Sequence, residues 1–210
     1  ENMIDTTQNA DVFVEVSGLL KACATTLIKI SNDLRLLSSG PRGGFGEIRL
    51  PDLQAGSSIM PGKVNPVMPE MLAQVAYQTI ARDLAITLAA QGGQLELNAF
   101  LPPGRARLLA AMGELTGAMK LFAERCVSGI EANSERCRFH LENSVALVTA
   151  LAPLIGYDRA ASLAKQALQT DSSVKKSLLD SGLFTAEELD TLLRPEALTR
   201  PGMVKRPNAA

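Results

Sequence analysis

One short polar loop carries the side chains of this sequence that are best suited to chemistry. Glycines and prolines between Gly56 and Pro66 keep helix and strand out of this segment. A serine there could act as a nucleophile or a base, a lysine could bind a carboxylate or a phosphate, and an asparagine could donate to an oxygen atom. The four candidate side chains are Ser57, Ser58, Lys63 and Asn65.

Two common motifs with similar letters do not fit this loop. A phosphate-binding P-loop has four residues between its glycines and a Ser or Thr after its lysine. Here five residues separate Gly56 from Gly62, and Val64 follows the lysine. A nucleophile elbow needs the pattern Gly-x-Ser-x-Gly, which the sequence does not contain. From the residues alone, a catalytic loop and a connecting loop both stay open.

The composition predicts an aliphatic core and gives no sign of a charged partner. Of 210 residues, 46% are hydrophobic but only 4% are aromatic, which suits helix-on-helix packing. The formal net charge is −1, so we expect neither nucleic acid nor an anionic membrane as a partner. No stretch approaches the ~18 apolar residues of a membrane span, and the first residues lack the order of a signal peptide. We therefore expect a cytoplasmic protein.

Three cysteines without paired spacing argue against a disulfide framework and against a zinc site. Cys23 and Cys126 fall on apolar helical stripes, which predicts buried thiols. We expect no bound metal. The single histidine, His140, is expected at the surface or at a helix end.

The spacing of apolar residues predicts an all-α protein built around a long-helix bundle. Over about 11–34 and 105–128, apolar residues recur at alternating steps of four and three, as in helices packed nearly parallel to neighbours. A helix over 67–91 is apolar on several faces, which indicates burial. The loop over 38–66 joins the first two helices, and the alternation around Ile48 fits a short strand.

The chain changes character near residue 133. Shorter helical patterns follow, the first at about 142–154 and the last preceded by a capping box of Thr185 and Glu188. We therefore predict a central bundle domain over 1–132, a small helical C-terminal domain over 133–200 and a flexible tail over 201–210.

The loop reads GSSIMPGKVNP from Gly56 to Pro66, and in this form it resembles the signature loop of the aspartase/fumarase superfamily of lyases. The segments Asn32-Asp33-Leu34-Arg35 and Ser39-Gly40-Pro41-Arg42 are similar to those that lead into this loop in aspartases and class II fumarases. The likeness spans essentially the whole chain, as the C-terminal half of a family subunit. It implies part of a central helical bundle followed by a small helical domain, with no organic cofactor.

The resemblance also implies a role for each polar residue of the loop. In the superfamily the loop is a mobile lid that supplies the base of an anti-elimination, and Ser57 matches that base. Lys63 and Asn65 match positions that bind the substrate carboxylate, and Ser58 donates to the same group. Glu70 matches an acidic residue that orients a histidine of another subunit. A solvated carboxylate, favoured by the helix dipole, is the other interpretation of Glu70.

Residues beside the loop favour the aspartase branch. Leu53-Gln54-Ala55 and Val67 resemble aspartases, whereas fumarases tend to have Asn-Glu-Pro and Thr-Gln at those places. The implied reaction is the reversible elimination of ammonia from L-aspartate to give fumarate. Two alternatives stay open: a class II fumarate hydratase acting on malate, and a non-catalytic relative that kept only the bundle.

Family active sites draw on three subunits of a homotetramer. The Thr-His pair and the Ser-Ser-Asn stretch that complete those sites do not occur in this sequence. Glu1 lies within a helical pattern and is not an initiator methionine. We therefore expect a C-terminal fragment that is inactive by itself.

Overall fold

The computed structural model describes residues 2–54, 60, 62–170 and 172–204. The chain divides into two compact units, Glu1–Asn133 and Ser134–Ala210. The all-α fold class with long helices is confirmed, while the assignment of independent domains stays a prediction. The first unit contains α1 Met3–Gln8, α2 Asp11–Leu37, β1 Ile48–Arg49, α3 Val67–Gln91, α4 Leu101–Arg125, the 3-10 turn Val127–Gly129 and β2 Glu131–Ala132. The second contains α5 Ser134–Asn143, α6 Leu147–Ile155, α7 Tyr157–Gln169, α8 Val174–Asp180, α9 Ala186–Leu192 and α10 Pro195–Leu198.

Proline and glycine account for the bounds of α3 but not for those of α4. The helix α3 follows Pro66 and ends at Gln91, just before Gly92, as predicted. The helix α4 begins at Leu101 rather than at 105, because Pro102 and Pro103 lie in its first turn. The first-turn N–H groups have no partner inside a helix, so prolines cost little there. At its other end α4 stops at Arg125, and the predicted last turn is a 3-10 turn.

Small side chains lie at the centre of the contact among the long helices. The helix α3 packs against both α2 and α4. The buried residues of α2 are Ser17, Ala24 and Ser31, spaced two turns apart. They are not the larger apolar residues whose steps of four and three predicted this helix, and one of those, Ile30, is 39% exposed. Small residues also alternate with large ones on the other two helices. Buried there are Leu72, Ala73, Ala76, Thr79 and Ile86 on α3, and Gly104, Leu108, Ala111, Leu115, Ala118 and Phe122 on α4.

A buried carboxylate links α3 to α2. Asp83 accepts a hydrogen bond from the Ser17 hydroxyl at 2.7 Å and forms an ion pair with Lys21 Nζ at 2.6 Å. Burial by itself would raise the pKa of Asp83, but the hydrogen bonds from Lys21 and Ser17 and the attraction of the ammonium lower it by more. The pKa of Asp83 therefore lies below its usual range, and the carboxylate stays charged.

The turn between α3 and α4 is held by one carboxamide. Asn98 is buried, and its Nδ2 donates to the carbonyl oxygens of Ala89 and Ala90 at 3.0 and 3.3 Å. Its Oδ1 accepts from the N–H of Phe100, just before α4, at 2.8 Å. The side chain thus satisfies backbone groups at the end of one helix and the start of the next.

The second unit has a hydrophobic core of its own. Leu151, Leu178 and Leu189 are fully buried within it. The capping box of Thr185 and Glu188 is confirmed, with reciprocal bonds of 2.9 and 3.2 Å. None of the helices in the described ranges is long and apolar enough to cross a membrane.

The helix predicted over about 142–154 is wrong, because α5 ends at Asn143 and α6 starts at Leu147. Polar side chains break it: Ser144 Oγ accepts from the N–H of Ala146 at 3.3 Å, and Asn143 Nδ2 donates to the carbonyl of Phe139 at 2.8 Å. Such local bonds compete with continued helix.

Replacing Asp83 by Asn should lower the free energy of unfolding by about 1.5–3 kcal/mol at neutral pH, the usual worth of a hydrogen bond to a charged group. Because the folded pKa of Asp83 is lowered, its contribution is present above the unfolded value of about 3.9 and is lost as the pH falls through the folded value. Urea unfolding of both proteins at several pH values measures the difference.

The control is Asp33→Asn, which removes an exposed ion pair with Lys29 one turn away on α2. Exposed pairs of this spacing contribute only about 0.3–0.5 kcal/mol. Equal losses for Asp83→Asn and Asp33→Asn would contradict the special role of the buried carboxylate.

Candidate functional site

The described part of the polar loop leads directly into α3. Gly62 has a φ of +78°, a backbone conformation that favours glycine. The N–H of Lys63 donates to the carbonyl of Met60 at 3.2 Å, and the carbonyl of Asn65 accepts from the N–H of Val67 at 2.8 Å. These bonds set the path of the chain around two of the predicted binding residues.

A cleft of about 1100 Å³ lies in the first unit beside this segment. It is bounded by the end of α2, the start of α3 and the chain that follows β2. Lys63, Asn65 and Glu70 all line it, so the structure brings three of the predicted site residues together. Lys63 is exposed, whereas Asn65 and Glu70 are half-buried. Ser57 and Ser58 lie outside the described residues.

A second wall of the cleft is formed by the segment 46–52. Its strand β1 pairs antiparallel with β2, with Ile48 opposite Ala132. Asn133 extends this pairing: its N–H donates to the carbonyl of Glu47 at 2.8 Å, and its Nδ2 donates to the carbonyl of Gly46 at 3.1 Å.

Leu50 anchors the same wall in the core. It packs against the cluster of Leu72, Ala118, Phe122 and Cys126. Two other apolar residues of this loop, Phe45 and Leu53, are each 43% exposed.

The charged residues lining the cleft favour an anion. Arg35, Arg49 and Lys63 contribute positive charge, against the carboxylates of Asp52 and Glu70. Arg49 and Asp52 pair with each other at 3.3 Å. A cleft with excess charge of one sign concentrates ligands of the opposite sign. The described lining therefore carries one net positive charge, which favours an anionic ligand over a cationic one.

Sequence reasoning did not assign Arg35, Arg49 or Asn133 to the site. Arg35 belongs to a segment that resembles the approach to the family loop, so its position was a usable signal. No local sequence pattern could have assigned Asn133 to the site, because it is far from the loop in sequence. It reaches the cleft through the pairing of β2 with β1.

A smaller cleft of about 560 Å³ lies at the other end of α3, between residues 9–15 and Thr87–Gln91. Asp11 and Glu15 line it, and among the described residues no basic side chain does. It holds none of the predicted site residues and does not suit an anion.

The three cysteines are free thiols. Cys126 is buried, as predicted, and burial raises the pKa of its thiol. The prediction of a buried thiol at Cys23 is wrong, because Cys23 is only half-buried, as is Cys137. His140 is half-buried in the last turn of α5, where its ring centroid lies 5.7 Å from that of Phe139.

Family models match both ends of the chain. The model described as Lyase matches residues 1–81, and the model described as Fumarase C C-terminus matches residues 147–200.

Curated relatives cover almost all of this chain. The aspartate ammonia-lyase of Bacillus sp is 46% identical over 206 residues, which is 98% of this chain and 44% of the relative. That of Pseudomonas fluorescens is 49% identical over 203 residues, covering 97% and 42%. That of Escherichia coli (strain K12) is 44% identical over 201 residues, covering 96% and 42%. The chain thus spans less than half the length of these relatives.

Solved structures share the fold as well. Fumarate lyase:delta crystallin from Brucella melitensis in native form superposes with a TM-score of 0.83 at 53% identity, covering 92% of this chain and 44% of that one. Recombinant class II fumarase from Schistosoma mansoni superposes with a TM-score of 0.88 at 37% identity, covering 96% and 42%. Together with the loop sequence and the two family models, these similarities show that the chain belongs to the aspartase/fumarase superfamily.

Proposed function

We propose that this chain is the C-terminal part of an aspartate ammonia-lyase subunit, which converts L-aspartate reversibly to fumarate and ammonia. The observation that carries the proposal is the meeting of Lys63 and Asn65 in one cleft with an excess of positive charge. The choice of aspartate is supported by identities of 44–49% to aspartate ammonia-lyases, compared with 37% to the Schistosoma class II fumarase.

The reaction needs a base and a set of donors for the charge that develops. In the proposed step Ser57, as an alkoxide, takes the proton from the carbon next to the side-chain carboxylate of L-aspartate. The released electron pair forms the C=C bond, and the neighbouring C–N bond breaks so that the amino group leaves as ammonia. In the transition state a second negative charge builds up on the carboxylate, so fixed donors lower the barrier.

Lys63, Asn65 and Ser58 are the proposed donors to that carboxylate. A lysine ammonium and an asparagine amide both donate hydrogen bonds, and both line the described cleft. Ser57 precedes Met60, another residue of the cleft, by three positions in the sequence. Closure of the loop as a lid would expel water and strengthen these contacts. Glu70, half-buried in the first turn of α3, is proposed to orient a histidine of a neighbouring subunit.

A class II fumarase is the second candidate. It is favoured by the match of residues 147–200 to the fumarase C-terminal family and by the TM-score of 0.88 to a class II fumarase. The two enzymes differ in whether ammonia or water leaves the substrate.

The deciding experiment is a fumarate assay on the complete subunit that contains this sequence. We expect absorbance from fumarate to rise with L-aspartate and to stay flat with L-malate. Turnover of malate alone would replace the proposal by fumarate hydratase. Turnover of neither, by a folded protein, would favour a non-catalytic relative.

Two substitutions distinguish the proposed role of Ser57 as the base from that of Lys63 as a substrate-binding group. In the complete enzyme Ser57→Ala should lower kcat at least ~100-fold, the usual loss when a general base is removed. Lys63→Met should also raise KM for L-aspartate, about tenfold or more, since it removes a charged hydrogen-bond donor. Steady-state kinetics with thermal unfolding of each variant measures both effects.

Lys176→Met serves as the matched control, because Lys176 is exposed on α8 in the second unit. Its kinetic constants should equal those of the parent. Unchanged kcat in Ser57→Ala would remove the serine from its role, and unchanged KM in Lys63→Met would do the same for the lysine.

The complete enzyme is further proposed to be a homotetramer in which long helices of different subunits pack together. Large apolar side chains on the three long helices are exposed in this chain, among them Leu19, Leu84, Leu88 and Leu109 at 57–68%. Exposed apolar surface on rigid helices favours association. Light scattering should give four times the subunit mass, and the isolated chain should show no turnover. A monomeric active enzyme would contradict this assembly.

A further inference from the structure

Gly129 lies against Pro51, a residue of the cleft wall. It is the last residue of the 3-10 turn after α4, and no sequence motif singled it out. A Cβ atom added to Gly129 would lie 2.6 Å from Cγ of Pro51, a residue that lines the cleft. The two residues are far apart in sequence, so only the fold brings them together. The missing side chain is what allows this close approach.

Pro51 cannot yield easily to an added methyl group. Its Cγ belongs to a ring that is closed onto the backbone nitrogen, so it can shift between the two ring puckers but cannot rotate away as the end of a flexible side chain could. To reach an ordinary contact of 3.4 Å, the ring or the turn must move by about 0.8 Å. Gly129 has no positive φ, so backbone strain plays no part and the effect of a methyl group is steric.

A movement of Pro51 would also move the residues near it in the chain and the strand β1 before it. Arg49 and Asp52, which flank it, pair with each other and line the cleft. On the other side β1 is tied to β2, which follows Gly129 after one residue. The wall is thus held through the ladder, through Leu50 in the core and through the contact between Pro51 and Gly129.

We propose that Gly129 is a positioning residue of the active site: its lack of a side chain seats Pro51 and thereby fixes the cleft wall that the substrate meets. The inference rests on the proposed function for its catalytic consequence, but the position of the wall can be tested without it. Misplacement of a substrate-binding group by about 1 Å is enough to lower a rate by up to about 100-fold.

The test is a double-mutant cycle in the complete enzyme with two readouts. Gly129→Ala should lower kcat/KM for L-aspartate about 10- to 100-fold. It should also speed hydrogen exchange at the N–H of Asn133, which bonds to Glu47. Pro51→Ala removes Cγ, and the remaining Cβ lies 3.7 Å from the added methyl, an ordinary contact. The pair Gly129→Ala with Pro51→Ala should therefore recover most of both losses.

Val127→Ala is the control within the same turn, since that side chain is 48% exposed and the change adds no atom. The proposal is overturned if Gly129→Ala leaves exchange unchanged, if exchange rises while the kinetics of an active parent stay the same, or if Pro51→Ala fails to rescue. A clash that only lowered stability would lower Tm and leave kcat/KM of the folded enzyme unchanged, and that result would also overturn the proposal. A parent that turned over neither L-aspartate nor L-malate would refute the proposed function, and the exchange readout alone would then decide whether Gly129 sets the wall.

Discussion

Small side chains set the spacing of the three long helices in the first unit, and the position of the cleft follows from that spacing. Ser17, Ala24 and Ser31 are the buried residues of α2, and alanines recur at the buried positions of α3 and α4. Because packed interiors resist changes of volume, helices in such close contact hold their ends at fixed separations. The cleft is bounded by three of these parts, namely the end of α2, the start of α3 and the chain after α4.

This arrangement divides the work between rigid and irregular parts of the chain. Glu70 is carried by a helix, while Lys63 and Asn65 stand on the segment that leads into it. The wall formed by residues 46–52 is irregular too, but the β1–β2 pairing and Leu50 hold it to the helical scaffold. Polar groups on loops that a rigid scaffold positions are the usual setting for binding and catalysis.

Local signals were enough to predict the helices whose ends are marked by proline, glycine or capping residues. The bounds of α3 follow from Pro66 and Gly92, and the capping box before α9 follows from Thr185 and Glu188. Prolines misled the prediction at the start of α4, because the same residue type that breaks a helix also begins one.

Burial and the site's wider membership could not be predicted in the same way. A search for large apolar residues overlooks Ser17 and Ser31, whose value lies in their small size. The motif supplied Lys63, Asn65 and Glu70, which do share a cleft, but the contact of Pro51 with Gly129 depends on tertiary structure that no spacing encodes.

The pairing of the buried Asp83 carboxylate with Ser17 and Lys21 has a consequence for how α2 and α3 can be aligned. A seam of alanines and serines accepts several axial offsets at similar cost, since small side chains fit many neighbours. Ser17 and Lys21 lie one turn apart on α2, so a slip of one turn, about 5.4 Å, would part the carboxylate from one of its two partners and leave a buried charge less well paired. The polar contacts of Asp83 therefore favour one axial register of α2 against α3 over the neighbouring registers. A uniformly apolar interface would not distinguish them in this way.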